Sequence, residues 1–258
     1  MTRINTNFVI VLISGLASHV FFSFAVFGVH ENSIKNPFVA APKISEAAYK
    51  NLKPFSANYV TFRSGNNVGN ALLELKPIES NQYELTYQSK VSRFFLTDNR
   101  YERTTFLNAS GSLIPLHYDY KRTGTGPNKI LSVSFDQLNQ KIQIDDDDEL
   151  TWNGELDNQL FRVDFPQKLA QGITSAQYNF INYRGEKRKY SLEVIETNNL
   201  SLPYGNITAI KVLIGRESSK RVTYAWFAPS LNFNLVRLQQ FKDEKEQGDM
   251  QLDSFDYL

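Results

Sequence analysis

Cysteine is absent from all 258 residues. That excludes disulfides, thiolate metal sites, iron–sulfur ligation, a cysteine nucleophile and a lipid anchor carried on cysteine. Histidine is nearly as scarce, at three: His19, His30 and His117. The first two lie in or beside an apolar N-terminal run. His117 alone makes neither a cluster-type metal site nor a triad, unless a serine and an acid converge on it in the fold. In the alternation Leu116, His117, Tyr118 it falls on the polar side, which reads as a hydrated strand histidine. A dominant charge is missing too. The 28 Lys+Arg balance 27 Asp+Glu to leave +1, so no global field favours nucleic acid or anionic lipid. There is no G-x-S-x-G, no H-E-x-x-H and no phosphate-cradling G-x-x-x-x-G-K-[ST]. The expectation is a protein with no cofactor, no metal and no nucleic-acid partner.

What is present is period-two alternation. Tyr83, Leu85, Tyr87 and Val91 share one side of a segment whose other side carries Glu84, Thr86, Gln88 and Lys90. This is a strand with one wet face. Similar segments run over 56–63, 68–76, 101–107, 115–122, 130–136, 141–145, 178–183, 189–196, 207–215, 218–228, 232–241 and 250–257. Short turns such as Ser64-Gly65, Arg184-Gly185 and Pro229-Ser230 separate them. Short connections favour an antiparallel meander over βαβ units. The fold class expected is mainly β: a curved antiparallel sheet or half-barrel of about a dozen strands, with one central helix in the concavity.

The helix candidate is Leu156–Gly172. Leu156, Leu160 and Val163 fall at i, i+4 and i+7. Asp157 suits an N-cap and Gly172 a C′ stop. Pro166 leaves two readings: one short helix over 158–165, or a second turn through Ala170. An ordinary connecting helix fits, and so does a lid over a pocket, with Asp157, Leu160 and Val163 as its residues.

Arg3 precedes an apolar run from Phe8 to Val29. Residues 1–30 read as an export signal or an uncleaved membrane anchor. Residues 31–54 read as a linker and 55–258 as a single β-rich domain. The expected location is the periplasm of a Gram-negative bacterium, in the second case anchored in the inner membrane. Membrane contact is expected through the N-terminal segment alone.

No catalytic residue is assigned. The acids Asp145–Glu149 read as a solvated turn, lacking the spacing and central glycine of a calcium loop. The basic tips Arg184–Lys189 and Arg216–Arg221 read as hydrated turns or as contacts to anionic headgroups. The most informative set is aromatic: Tyr83, Tyr87, Tyr118, Tyr120, Phe180, Tyr190, Tyr224 and Trp226 stand at alternating strand positions. Ordinary core packing accounts for them, and so does a trough that binds an acyl chain or a sugar.

Several stretches in order resemble one bacterial exported family, the domain-of-unknown-function family numbered 3108. They are Phe55–Tyr59 with Gly65 and Val68-Gly69, then Gly111, Pro115, Leu116 and Tyr118, then Arg122–Gly126 and Ser134–Asp136. Leu156-Asp157, Arg184-Gly185, Pro203–Gly205 and Trp226–Pro229 complete the set. One departure is Gln159-Leu160, where the family usually has Leu-Ser after the helix-opening acid. The resemblance implies export to the periplasm and a β-rich fold distantly similar to the half-barrels of lipoprotein carriers. It implies no catalytic residues. The expectation that follows is a non-enzymatic protein holding a hydrophobic or amphipathic cell-envelope ligand, a lipid or lipoglycan. The alternatives are a carboxylate-based hydrolase of envelope glycan and a scaffold that binds another envelope protein through a free sheet edge.

Overall fold

The computed structural model describes residues 52–258 apart from 94, 110–111, 147 and 217–220, so the N-terminal apolar run lies outside it. Hairpins build the fold. Strands β1 (Phe55–Arg63) and β2 (Asn66–Glu79) turn at Ser64 and Gly65, whose φ angles of 50° and 77° give the double left-handed turn that matches strand twist. The meander continues through β3 (Gln82–Arg93), β4 (Leu96–Ala109), β5 (Ser112–Gly124), β6 (Lys129–Asp136), β7 (Lys141–Ile144) and β8 (Asp148–Thr151). The chain then crosses to β9 (Leu156–Asp157), enters helix α1 (Phe161–Ala170) and returns through β10 (Ser175–Ile181) and β11 (Lys187–Leu202). β12 (Gly205–Arg216), β13 (Arg221–Ala228), β14 (Asn234–Lys242) and β15 (Lys245–Tyr257) complete it.

The fifteen strands of the described residues form one sheet, ordered β8-β7-β6-β5-β4-β3-β2-β1-β15-β14-β13-β12-β11-β10-β9. The first and last strands pair antiparallel at its centre, Tyr59 opposite Leu252. The ladder is open between β8 and β9, yet its two ends meet through side chains. Tyr120 of β5 meets the tilted ring of Tyr183 at 5.2 Å, and Lys187 of β11 donates to the Thr151 carbonyl of β8 and to Glu155. Ile181 and Tyr183 join Tyr118, Tyr120, Leu131, Val133 and Ile144 in one apolar cluster. Gly185 sits so close to Ile144 that a Cβ there would stand 2.8 Å from Cγ2, so glycine lets the two ends approach. The result is a barrel-like curl whose hydrogen bonding does not close.

Helix α1 lies against the concave face of this sheet. Phe165 packs edge-on against Phe227 of β13, Phe161 against Tyr178 of β10, and Arg162 over the Tyr87 ring of β3. Strands on both sides of the central β1–β15 pair therefore touch one helix. The helix begins later than the leucine spacing predicts. Leu156 belongs to β9, paired parallel with β10, because the segment first completes the sheet before it coils. Asp157 is not the N-cap; Leu160 holds that position with no side-chain cap bond. Asp157 instead caps a turn upstream, where Oδ1 accepts from the backbone N–H of Gln159 at 2.7 Å and of Leu160 at 3.2 Å. Pro166 sits inside the helix, which runs on to Ala170, and the second-turn reading is the one the fold adopts. Gly172 ends it as expected: at φ 79°, its N–H reaches the Leu169 carbonyl and that of Ile173 the Lys168 carbonyl, a Schellman motif.

Candidate functional site

Alternation on β4 decides what the concave face offers. Asp98, Arg100, Glu102, Thr104 and Phe106 all point inward and all are buried. The first four make a polar stripe inside an otherwise apolar curve. Asp98 receives Arg100 Nη2 at 2.8 Å and Arg122 Nε at 3.1 Å. Burial alone would lift its carboxyl; the hydrogen bonds and charges of those two arginines override that and hold it below the usual range.

One step along, Glu102 meets the turn before α1. Its Oε2 accepts from Tyr118 Oη at 2.6 Å and from Asn158 Nδ2 at 2.9 Å. Thr104 donates to Asp157 Oδ1 at 2.9 Å. Burial raises the Asp157 carboxyl to about 7, against the pull of its backbone and Thr104 hydrogen bonds, and the Glu102 charge adds to the rise. Burial and the Glu102 carboxylate push the Tyr118 phenol up as well. Glu102 and Asp157 are 4% and 0% exposed. The node therefore fastens the start of the helix to β4 and β5.

The segment Asp157–Arg162 carries four buried polar atoms with no hydrogen-bond partner: Asp157 Oδ2, Asn158 Oδ1, Gln159 Nε2 and Arg162 Nε. Arg162 is 5% exposed. Its Nη1 donates to Gln159 Oε1, and its guanidinium lies 4.9 Å from the Tyr87 ring centroid and 5.7 Å from that of Phe161. Farther along α1, Asp164 accepts from Tyr178 Oη at 2.6 Å and pairs with Lys168.

The aromatic residues singled out by spacing divide between the two faces. Tyr87, Tyr118, Tyr120, Phe180 and Tyr190 are buried, and Tyr83 is half-buried, stacked on Phe106. Tyr83 and Tyr87 share the inward face of β3, and Tyr118 and Tyr120 that of β5. Phe180 and Tyr190 touch each other at 4.4 Å on β10 and β11. Trp226 stands on the opposite face from Ala225 and Phe227. It is aligned with Lys211 and Arg237, donates Nε1 to Asn198 Oδ1 at 2.9 Å and lies under the Arg237 guanidinium at 4.8 Å. It is nonetheless buried, at 4% exposure. Of the helix residues, Leu160 and Val163 are buried against the curve and Asp157 belongs to the node.

On the outer face a serine and an acid do converge on His117. Nδ1 is 3.0 Å from Ser134 Oγ, and Nε2 is 2.9 Å from Asp119 Oδ1 and 3.1 Å from Ser132 Oγ. Asp119 also receives Arg103. The backbone N–H of Ser132 beside this group donates to Asp145 Oδ1 at 2.9 Å.

Sequence reasoning passed over Glu102, Thr104, Asn158 and Arg162. The register of β4 turns Glu102 and Thr104 inward, and the packing of the segment that leads into α1 buries Asn158 and Arg162.

Among solved structures, the chain is similar to a β-barrel-like protein of the domain-of-unknown-function family DUF1849 from Brucella abortus, at 10% identity and a TM-score of 0.56, over 80% of this chain and 98% of that one. That likeness concerns the fold. A protein with a YmcC-like fold from Bacteroides fragilis matches at 12% identity and a TM-score of 0.32, over 80% of this chain and 97% of that one. No curated protein matches the chain. The family described as protein of unknown function (DUF3108) matches residues 55–245, and the chain belongs to that family.

Proposed function

We propose that this is an exported, non-enzymatic cell-envelope protein that holds a hydrophobic or amphipathic ligand, a lipid or lipoglycan, in the curve of its sheet. The observation that supports this reading is α1 itself. An element carrying Phe161, Phe165 and Leu169 occupies the concave face, against strands of both halves. It covers ground that an acyl chain would use, as a lid or plug does. Burying apolar ligand surface yields roughly 25 cal/mol per Å². Moving the helix aside exposes the same kind of surface, so exchange between helix and ligand comes near to balance. The buried carboxylates Glu102 and Asp157 favour holding over hydrolysis, since both are engaged in fastening the helix. Export rests on the apolar run Phe8–Val29 with Arg3 before it. No helix among the described residues is long and apolar enough to cross a membrane.

Native mass spectrometry of protein purified from an exporting host tests the reading. A co-purifying lipid adduct is expected. Repeated absence of any adduct, with lipid extracts of the purified protein empty, overturns it.

A further inference from the structure

The concave face holds a cation that the fold does not neutralise. Each buried carboxylate around it has other partners. Asp98 takes Arg100 and Arg122; Glu102 takes Tyr118 and Asn158; Asp157 takes Thr104; Asp164 takes Tyr178 and Lys168. Among the described residues no carboxylate lies within ion-pair distance of Arg162. Its guanidinium rests on the Tyr87 ring, bonds the Gln159 side chain and leaves Nε without an acceptor. An unpaired buried charge costs several kcal/mol, which the Tyr87 and Phe161 rings offset only in part. A second buried polar group on the inner face is unmet. Thr61 Oγ1, on the inward side of β1 two residues from Tyr59, is buried without a partner. Its cross-strand neighbour Met250 touches the Tyr87 hydroxyl. The two unmet groups are linked through Tyr87: Arg162 lies on its ring, and Thr61 stands across from the methionine that meets its hydroxyl.

Resting on the ligand-holding reading, we infer that Arg162 receives the anionic headgroup, phosphate or carboxylate, of an amphipathic ligand, with the Thr61 hydroxyl as a second donor. The ligand's apolar part then lies along the aromatic inner face. A guanidinium suits this task because its planar fork takes two oxygens at once. Charge-assisted hydrogen bonds in a dry site are far stronger than in water, so one arginine discriminates a charged head from a neutral one.

Calorimetric titration of protein from an exporting host, in detergent-free buffer, compares octyl phosphate, octanol and inorganic phosphate. Octyl phosphate is expected to bind at least about tenfold more tightly than either of the others. Arg162→Met removes the advantage over octanol and leaves octanol binding unchanged. Arg162→Lys keeps part of it, and Thr61→Val weakens octyl phosphate alone. Equal binding of octyl phosphate and octanol, indifferent to position 162, overturns the headgroup assignment and leaves the ligand-holding reading intact. Inorganic phosphate binding as tightly as octyl phosphate identifies a free-anion site and overturns the lipid headgroup. No binding by either octyl compound overturns both. If Arg162→Met does not fold by circular dichroism, the wild-type preference together with Arg162→Lys and Thr61→Val decides, and absence of that preference is fatal.

Discussion

Thr104, midway along β4, donates its hydroxyl to Asp157 Oδ1 at 2.9 Å across 53 residues of chain. The bond joins the sheet to the turn from which α1 grows, and it surrounds a carboxyl held at about 7 by burial. The folded value lies above the ordinary one of 3.8, so the fold favours protonated Asp157. Its contribution is complete below about pH 4 and is lost as pH rises through about 7. Asp157→Asn keeps an acceptor for Thr104 and the backbone while removing the charge. That variant is expected to match or exceed wild type at pH 8, by roughly 1–4 kcal/mol, and to lose the advantage at pH 4. Urea midpoints at the two pH values check this. A difference between the proteins that does not change with pH contradicts it.

Phe165 and Trp226 test the two faces separately. Phe165 is fully buried under Phe227 on the concave side, and Trp226 is buried on the other side, against Asn198 and Arg237. Each truncation to alanine is expected to cost about 3–5 kcal/mol in denaturant unfolding. Trp226→Phe keeps most of the buried area but leaves Asn198 without its donor, for about 1 kcal/mol. A Trp226→Ala midpoint equal to wild type places that ring at the surface.

Two glycines on one hairpin separate backbone strain from collision. Gly65 has φ 77° with open space where a Cβ would go, and Gly69 has φ 154° with the Lys90 carbonyl oxygen 2.0 Å from that position. Gly65→Ala is expected to cost about 1–2 kcal/mol, the left-handed penalty alone. Gly69→Ala must also push β2 off β3 and is expected to cost clearly more. Thermal unfolding of both variants ranks them; equal losses refute the contact.

Tyr118→Phe removes the phenol donor to Glu102 Oε2 and leaves Asn158 Nδ2 donating to the same oxygen. A loss of about 1–3 kcal/mol is expected, because a buried carboxylate keeps its desolvation cost when a partner goes. Asn158→Asp sets two acids against Glu102 and is expected to loosen the start of α1, read as faster amide exchange over 161–170. Unchanged exchange there means that the node does not hold the helix.

The strands were legible wherever one face met water. Tyr83–Val91 alternates in the sequence as it does in β3, and His117 lies with Asp119 and Ser134 on the hydrated side, as its neighbours imply. Reading failed where that rule inverts. On β4 the alternation begins at Asp98, eight residues before the hydrophobic signal becomes clear at Phe106, because its inward residues are polar. On β11 the pattern stops at Glu196, although the strand continues to Leu202. A bulge at Ile195 shifts the pairing with β12, and Ile195, Glu196 and Thr197 are all exposed there, so the period-two signal lapses before Leu200 and Leu202 resume it.

From its own residues the chain settles local matters: which segments extend, where Ser64-Gly65 and Gly172 turn it, and that a helix interrupts the strands. These depend on side-chain period and on backbone conformations available to a few residue types. Pairing of the first strand with the last, contact of the two sheet ends, and burial of Glu102, Asp157 and Arg162 were decided only by tertiary structure. Those outcomes arise between residues far apart in the chain, where the inside of a curve is defined by what closes over it.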